Sequence, residues 1–488
     1  MSTAPASEKS VTEERGALDR FFEITRRGSG PGAEVRGGLV TFVTMAYIVI
    51  LNPIILSSGT DVAGDSLGFQ QVAAVTALTA GVMTILFGLV SRLPFAFAAG
   101  LGINSFLAVS VVGQVTWPEA MGLVMINGFI IVLLAATGLR RLIFDAVPVA
   151  LKTAITVGIG LFIAFIGFVD AGFVTSTGVA SPPVGLGEGG SIATIPTLVF
   201  VVTLLLCAVL MVLRVKGALL IGLVSGTVLA VVIEAVWHIG PKFGADGAVN
   251  PGGWSLSVPS LPTSWVSIPD LSLVGQVDLF GAFGRVGGLA ATMLVFTLVF
   301  TNFFDAMGTM TGLSREAELA DAKGDFPRLR SALVVEGVGA IAGGFTSSSS
   351  NTVFIESASG IGEGARTGLA NVVTGGLFLL AMFLTPLTSI VPSEVASAAL
   401  VIVGALMMSQ IRHVDLGDLT VLTPVFLTVT VMPFTYSIAN GIGAGFISWV
   451  VIRSLSGKAK QISPLLWIVA AGFVVYFARG PIEAALGG

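Results

Sequence analysis

The sequence predicts an all-α polytopic membrane protein of fourteen transmembrane segments, arranged as a 7+7 inverted repeat. Three observations predict it. Of 488 residues, 54% are hydrophobic and only 11% are charged, about half the charged share of a soluble domain. Apolar runs recur along the chain, and many reach about 18–20 residues, enough to cross a bilayer as helices. Val147-Pro148 and Val391-Pro392 are each followed by a glycine twelve residues after the proline, Gly160 and Gly404, at an offset of 244. The same offset pairs Gly100 with Gly344 and Asn104 with Ser348. With an odd number of segments per unit, the second unit enters the membrane in the opposite sense.

Residues 1–36 are polar and mixed in charge, with no short apolar core before a small-residue cleavage site. They read as a cytoplasmic tail rather than a signal peptide, with a short amphipathic helix around LDRFFEITRR. The first seven segments fall at 38–57, 69–90, 95–113, 119–139, 148–168, 194–213 and 217–237. A Pro/Gly-rich stretch, 238–285, follows. The second seven fall at 287–310, 330–345, 347–361, 368–391, 393–410, 417–433 and 436–453. A last apolar run, 463–479, either spans or lies in the interface. Arg92, Arg214 with Lys216, Arg328 with Arg330, and Arg366 collect on the side of the tail, while 58–68, 114–118, 169–193 and 391–394 hold no Lys or Arg. This asymmetry places the N-terminus inside.

Two segments do not read as ordinary spanning helices. PFAFAAGLGINSFLAV in segment 3 and GGFTSSSSNTVFIESA in segment 10 begin with a non-helical composition and become helix-compatible further on. A polar, Gly- and Ser-rich stretch at membrane depth is tolerated only inside protein or against a cavity. Short extended pieces leading into half-helices would bring helix N-termini, with their unpaired N–H groups, near the midplane. That is where discontinuous helices form a ligand site.

The chemistry-bearing residues gather around these stretches. Asp305 interrupts the apolar run LVFTLVFTNFFDAMGTM, and an ionised carboxylate in hydrocarbon must line a cavity, find a partner or be protonated. The plainer reading is an inner-end residue reaching the interface. Glu356 sits inside the polar stretch and can accept from ring N–H groups or, protonated, donate; its plainer reading is a capping carboxylate. Asn104 offers donors and an acceptor at the partner site, or simply caps a helix. Thr309 lies four residues after Asp305 on the same helical face. Ser347 to Ser350 line a cavity or permit close backbone approach. Glu336 is a third intramembrane acid, suited to a proton path, to a supporting role, or to a salt bridge with Arg328 or Arg330. Lys152 reads as a snorkelling cation. Phe95, Phe97 and Phe303 are packing residues or stacking faces for a flat ring. The single Cys, Cys207, lies in an apolar run, and His238 and His413 stand far apart, so no metal cluster or nucleophile–base set is visible. A basic nucleic-acid footprint is equally missing from a chain of net charge −4.

At these residues the chain resembles a known family. FFDAMGTMTG, GFTSSSSNTVFIESASGIGEGARTGL, PFAFAAGLGINSFLAV and MPFTYSIANGIGAGFISWV look like the adenine/guanine/hypoxanthine permeases, the AzgA-like branch of the nucleobase:cation symporter-2 superfamily. The likeness runs in order from about Arg36 to Arg453. It implies a core domain of segments 1–4 and 8–11 (37–139 and 286–391) and a gate domain of segments 5–7 and 12–14 (140–237 and 392–453). The remainder is an extracytoplasmic loop at 238–285 and a C-terminal tail, 454–488, with an extra apolar segment. The resemblance implies import of purine nucleobases by proton symport through alternating access, in the plasma membrane. Substrate-binding positions carry over to Asn104, Asp305 and Glu356, with Thr309 and strand positions at Phe97, Ser349 and Ile355. Proton coupling falls to Glu356, Asp305 and Glu336, because Thr309 cannot relay protons as a histidine there would. The implied partners are a purine nucleobase and membrane lipid, with a homodimer open to such a fold; no cofactor, metal or nucleic acid is implied, and H⁺ is the coupling ion. The chain departs from the usual motifs at Leu101, Ile103, Ser105, Leu107 and Ala306, and across Ser347–Ser350, changes that bear on which purine is preferred.

The alternative of the same fold is an anion transporter of the sulfate-permease type. It wants a fixed positive charge at the paired strands, and 94–113 and 343–361 hold none. A membrane enzyme lacks its reactive set here. A channel is separated from a carrier by saturable uptake with counterflow.

Overall fold

The computed structural model describes residues 16–138, 146–187, 189–243, 249–262, 264–320 and 326–478. A short helix α1 (Ala17–Phe22) precedes α2 (Pro31–Met45), α3 (Ile48–Ser58) and α4 (Phe69–Val90). Strand β1 (Phe97–Ala99) leads into α5 (Leu101–Phe106), which continues as a π-helical turn, Leu107–Val111, before α6 (Trp117–Thr137). Then come α7 (Val149–Asp170), a hairpin of β2 (Val174–Ser176) and β3 (Val184–Leu186), α8 (Ile195–Val212) and α9 (Ala218–Trp237). After the long loop come α10 (Gly281–Arg285), α11 (Gly288–Glu316), α12 (Leu329–Phe345), β4 (Asn351–Val353), α13 (Ser357–Gly362) and α14 (Gly368–Ala381). The chain closes with α15 (Thr385–Thr388), α16 (Ser393–Met408), α17 (Leu419–Phe434), α18 (Ile438–Leu455) and α19 (Pro464–Phe477).

Among the described residues, ten helical stretches are long and apolar enough to cross a membrane. They correspond to ten of the fourteen expected segments. Expected segments 3 and 10 are a strand and a six-residue helix each, as their composition foretells; segments 9 and 13 are helices of 17 and 16 residues. Expected segment 1 is broken between α2 and α3. Pro53 removes a donor and its ring crowds the carbonyl one turn back. Upstream, the chain tightens, with the N–H groups of Val49 and Ile50 bonded to Ala46 and Tyr47 three residues behind. At 14 residues, α19 spans about 21 Å, short of a bilayer core of about 30 Å. It packs on α18 and α11, with Phe473 buried between Phe296 and Phe446.

Glycines set the closest helix crossings. A Cβ on Gly160 in α7 would meet the Gly404 carbonyl at 2.7 Å, and one on Gly404 in α16 would run into the Gly160 carbonyl. Gly81 with Gly375, Gly88 with Gly368, and Gly128 with Gly337 face one another in the same reciprocal way. Small residues let helix backbones approach where lipid supplies no hydrophobic drive. The offset of 244 therefore joins two residues in direct contact at Gly160 and Gly404. The same offset does not carry to the strands: β1 begins at Phe97 and β4 at Asn351, ten residues further apart. Asn104 thus has its positional counterpart in α13, not at Ser348, because the Ser-rich turn ahead of β4 has no equal ahead of β1.

The long loop is stitched to the bundle. Glu234 accepts from Ile239, Gly240 and the Trp254 indole, so this carboxylate folds the start of the loop rather than resting at the interface. Asp278 N–H donates to Pro118, Gly275 N–H to Phe345, and Ser255 N–H to Glu394. At the other end of the bundle, Glu363 pairs with Arg36 at 2.8 Å and with Lys216.

Candidate functional site

The two anomalous segments meet in a buried two-stranded antiparallel sheet, with Phe97 opposite Val353, Ala98 opposite Thr352 and Ala99 opposite Asn351. Gly100 N–H to Ser350 and Phe354 N–H to Ala96, both 2.9 Å, extend the pairing. In the bilayer interior no water can satisfy the outer edges of such a pair, and neighbouring side chains do so instead. The Thr84 hydroxyl accepts from Phe97 N–H at 2.9 Å and donates to the Phe97 carbonyl at 3.0 Å. The Ser357 hydroxyl accepts from Ala96 N–H and donates to the Phe354 carbonyl. Ahead of β4, Ser347 and Ser349 take left-handed φ values of 60° and 70°, and the Ser349 carbonyl turns in against Gly343, where no Cβ fits. Ser349 is fully buried and its hydroxyl has no partner. The serines therefore shape a compact turn.

Past β4 the chain opens. Phe354 is 7% exposed and Ile355 is 51% exposed, and Glu356, half-buried, stands just ahead of α13 without a side-chain capping bond. One Glu356 oxygen accepts the Tyr47 hydroxyl at 2.5 Å, and the Thr44 hydroxyl reaches the Glu356 carbonyl at 3.4 Å. On α11, Asp305 is half-buried, Gly308 is exposed and Thr309 is half-buried. Asp305 lies within electrostatic reach of Glu356, and Glu336 within reach of Asp305. Glu336 is fully buried beside Thr352 and the Val353 N–H, and neither of its oxygens reaches ordinary hydrogen-bond geometry. The expected alternative of a salt bridge to α12's own arginines does not form. Arg328 turns to Glu23 and the Val90 carbonyl, and Arg330 to the Ala136 carbonyl. The arrangement is thus three carboxyl groups near one strand pair, Glu336 fully buried and Asp305 and Glu356 half-buried.

Other expected residues stand apart from that space. Asn104 is fully buried; its amide donates to Asn52 at 2.5 Å, and Asn52 in turn donates to Thr76 and to the Ser348 carbonyl. The Oδ1 of Asn104 is buried and has no hydrogen-bond partner. The ring of Phe97 is buried against Phe87, with centroids 4.7 Å apart, and Phe95 and Phe303 are also buried, so none offers a stacking face. Apolar rings beside a fully paired sheet gain more from burial than from lining a polar space. Lys152 does not reach for the interface; its ammonium lies 5.6 Å from the centre of the Phe304 ring, next door to Asp305. Tyr47 and Asn52 were missed from the sequence. Their signal was polar side chains inside the apolar run MAYIVILNP, at the place where the helix breaks.

Comparisons with known proteins give the family and the fold. The family model described as "Permease family" (Xan_ur_permease) matches residues 32–444. The chain is 37% identical over 466 residues to the adenine permease AdeP of Escherichia coli (strain K12), covering 95% of this chain and 96% of that protein. It is 36% identical over 473 residues to the guanine/hypoxanthine permease PbuG of Bacillus subtilis (strain 168), covering 94% and 99%. The fold is similar to the transmembrane domain of a cyanobacterium bicarbonate transporter, BicA, with TM-score 0.54 and 15% identity over 86% of this chain and 97% of that one. It is also similar to murine Slc26a9, an anion transporter in the inward-facing state, with TM-score 0.56 and 10% identity over 92% and 74%. These last two likenesses concern fold alone. A multi-pass bundle, a broken-helix site and full-length relatives named as permeases lead to one conclusion: the chain is a transport protein, not an enzyme, and belongs to the Permease family represented by Xan_ur_permease.

Proposed function

We propose that the protein imports purine nucleobases (adenine, guanine or hypoxanthine) together with a proton, by alternating access in the plasma membrane. The observation that carries the reading is the pair of half-buried carboxylates, Asp305 and Glu356, beside the paired strands of a chain whose full-length relatives are named purine permeases. The ring N–H groups of a purine suit Glu356 as acceptor, its carbonyl or amino edge suits Asp305 and Thr309, and backbone near Ile355 completes the frame. Protonation of one carboxyl, with Glu336 as a reserve site, lets the loaded carrier reorient without an uncompensated charge in the closing site.

In this reading segments 1–4 and 8–11 form a core that moves against a gate of segments 5–7 and 12–14, and the two sevens are an inverted repeat with the N-terminus inside. The reciprocal contact of Gly160 with Gly404, at the repeat offset, supports the pseudo-symmetric arrangement. So does the antiparallel pairing of the two broken segments. The anion-transporter alternative is supported by fold likeness only, and the sequence relatives favour purines. The test is radiolabelled purine uptake in wild type, Glu356→Gln and Asp305→Asn, across a range of external pH. Both variants are expected to lose proton-driven accumulation; normal coupled uptake in both would contradict the reading.

A further inference from the structure

A recess lies at the end of the bundle where α7 and α17 begin and α18 ends. It has a volume of about 630 Å³ and is lined among others by Val149, Val421, Asp415, Trp449, Arg453 and Gln461. Every lining element is a helix end or the linker before α19, which places the recess at the depth where a bilayer's headgroups meet its acyl chains. Its walls are of two kinds. Val149 is 66% exposed, and with Val421 and the Trp449 ring it forms an apolar side. The polar side carries Arg453 and two carboxylates, Asp415 and Asp418.

The cation is Arg453. Its guanidinium lies 4.3 Å from the centre of the Trp449 ring, and one terminal nitrogen donates to Gln461 at 2.9 Å. The Nε donor is buried and has no partner, and among the described residues no carboxylate pairs with the group. A guanidinium stacked on an aromatic ring, held by Gln461 and lacking a carboxylate partner among the described residues suits a phosphate or carboxylate oxygen. The anion is Asp415, which is exposed; one oxygen accepts the Gly417 N–H and among the described residues it forms no ion pair. The neighbouring Asp418 is already used, capping α17 and paired with Lys458 at 2.9 Å.

We propose that this recess binds an aminophospholipid of the leaflet it faces, Arg453 taking the phosphate and Asp415 the primary ammonium. Charge complementarity selects this occupant. A purely anionic headgroup leaves Asp415 opposed by like charge, and a free phosphate leaves the apolar wall bare. A quaternary headgroup has no N–H to give the carboxylate. The acyl chains run along Val149 and Val421, and Trp449 sits at the boundary, as aromatic residues do at membrane interfaces.

The test uses the full-length purified chain in phosphatidylcholine vesicles, doped with either phosphatidylethanolamine or phosphatidylglycerol, with thermal unfolding and native mass spectrometry as readouts. Phosphatidylethanolamine is expected to raise the unfolding temperature and to be retained as a bound adduct at least fivefold over phosphatidylglycerol. Arg453→Gln and Asp415→Asn should each abolish that preference. Asp415 is exposed, so its variant keeps the fold and keeps the test decisive if Arg453→Gln destabilises the chain. Equal retention of the two lipids, stabilisation by inorganic phosphate alone, or an unchanged preference in Asp415→Asn would overturn the proposal.

Discussion

Tyr47 donates its hydroxyl to Glu356 across 2.5 Å, from the tightened turn between α2 and α3 to the first residue ahead of α13. The phenol is almost fully buried while the carboxylate it holds is half open. One side of Glu356 is thereby fixed and the other is left for a ligand. Tyr47→Phe keeps the packing of the ring and removes only the donor. A hydrogen bond to a charged group contributes about 1.5–3 kcal/mol to stability, so the variant should unfold at a lower temperature, and with Glu356 no longer held purine affinity should fall as well. Isothermal binding and thermal unfolding measured on the same preparation separate the two effects.

Phe97 makes the opposite case. Its ring is a packing element against Phe87, and its own backbone N–H and carbonyl are both bonded to Thr84. Phe97→Ala should cost about 3–5 kcal/mol of stability. If the ring instead stacked on the substrate, the variant would unfold normally and lose affinity; denaturation of the purified variant distinguishes the outcomes.

These two residues also show what a sequence can and cannot reveal here. Glu356 and Asp305 were legible because a carboxylate in an apolar run needs a reason, and so were the strands, because GGFTSSSSNTV cannot make a lipid-facing helix. Tyr47 was not legible. A tyrosine in an apolar run is ordinary packing until the chain brings Glu356, 309 residues away, against its hydroxyl. Asn104 was legible as polar but not as sealed, since its partner Asn52 comes from another segment. The offset of 244 was readable in α7 and α16, where it joins Gly160 to Gly404. It slipped by ten residues at the strands, where a turn absorbs length.

Gly160 and Gly404 each present a carbonyl where a Cβ on the other would sit. A valine at either place forces α7 and α16 apart and should cost about 1–3 kcal/mol, as overpacking does. Gly472 in α19, which meets nothing within 4 Å, should accept alanine without loss. The pair of variants can be compared by thermal unfolding in detergent.

Asp61, in the loop between α3 and α4, supplies a pH signature. Burial works against its charge, but the N–H groups of Trp117, Asp65, Ala63 and Gly64 outweigh it and hold the carboxyl below the usual carboxylate range. With the folded value depressed, the stabilisation is complete above the unfolded value of about 3.9 and is lost as pH falls through the folded one. The stability difference between wild type and Asp61→Asn should therefore be present at neutral pH and shrink in strong acid. A difference that stays constant down the acid range would count against these bonds.

The central claim is that Glu356 is the group that meets the purine. The most direct measurement is equilibrium binding of adenine, guanine and hypoxanthine to purified wild type and Glu356→Gln at several pH values, with unfolding curves as the control for fold. The account predicts that wild type binds at least one purine with a pH dependence, and that Glu356→Gln stays folded, binds at least tenfold more weakly and loses that dependence. Unchanged affinity and unchanged pH dependence in folded Glu356→Gln would contradict it.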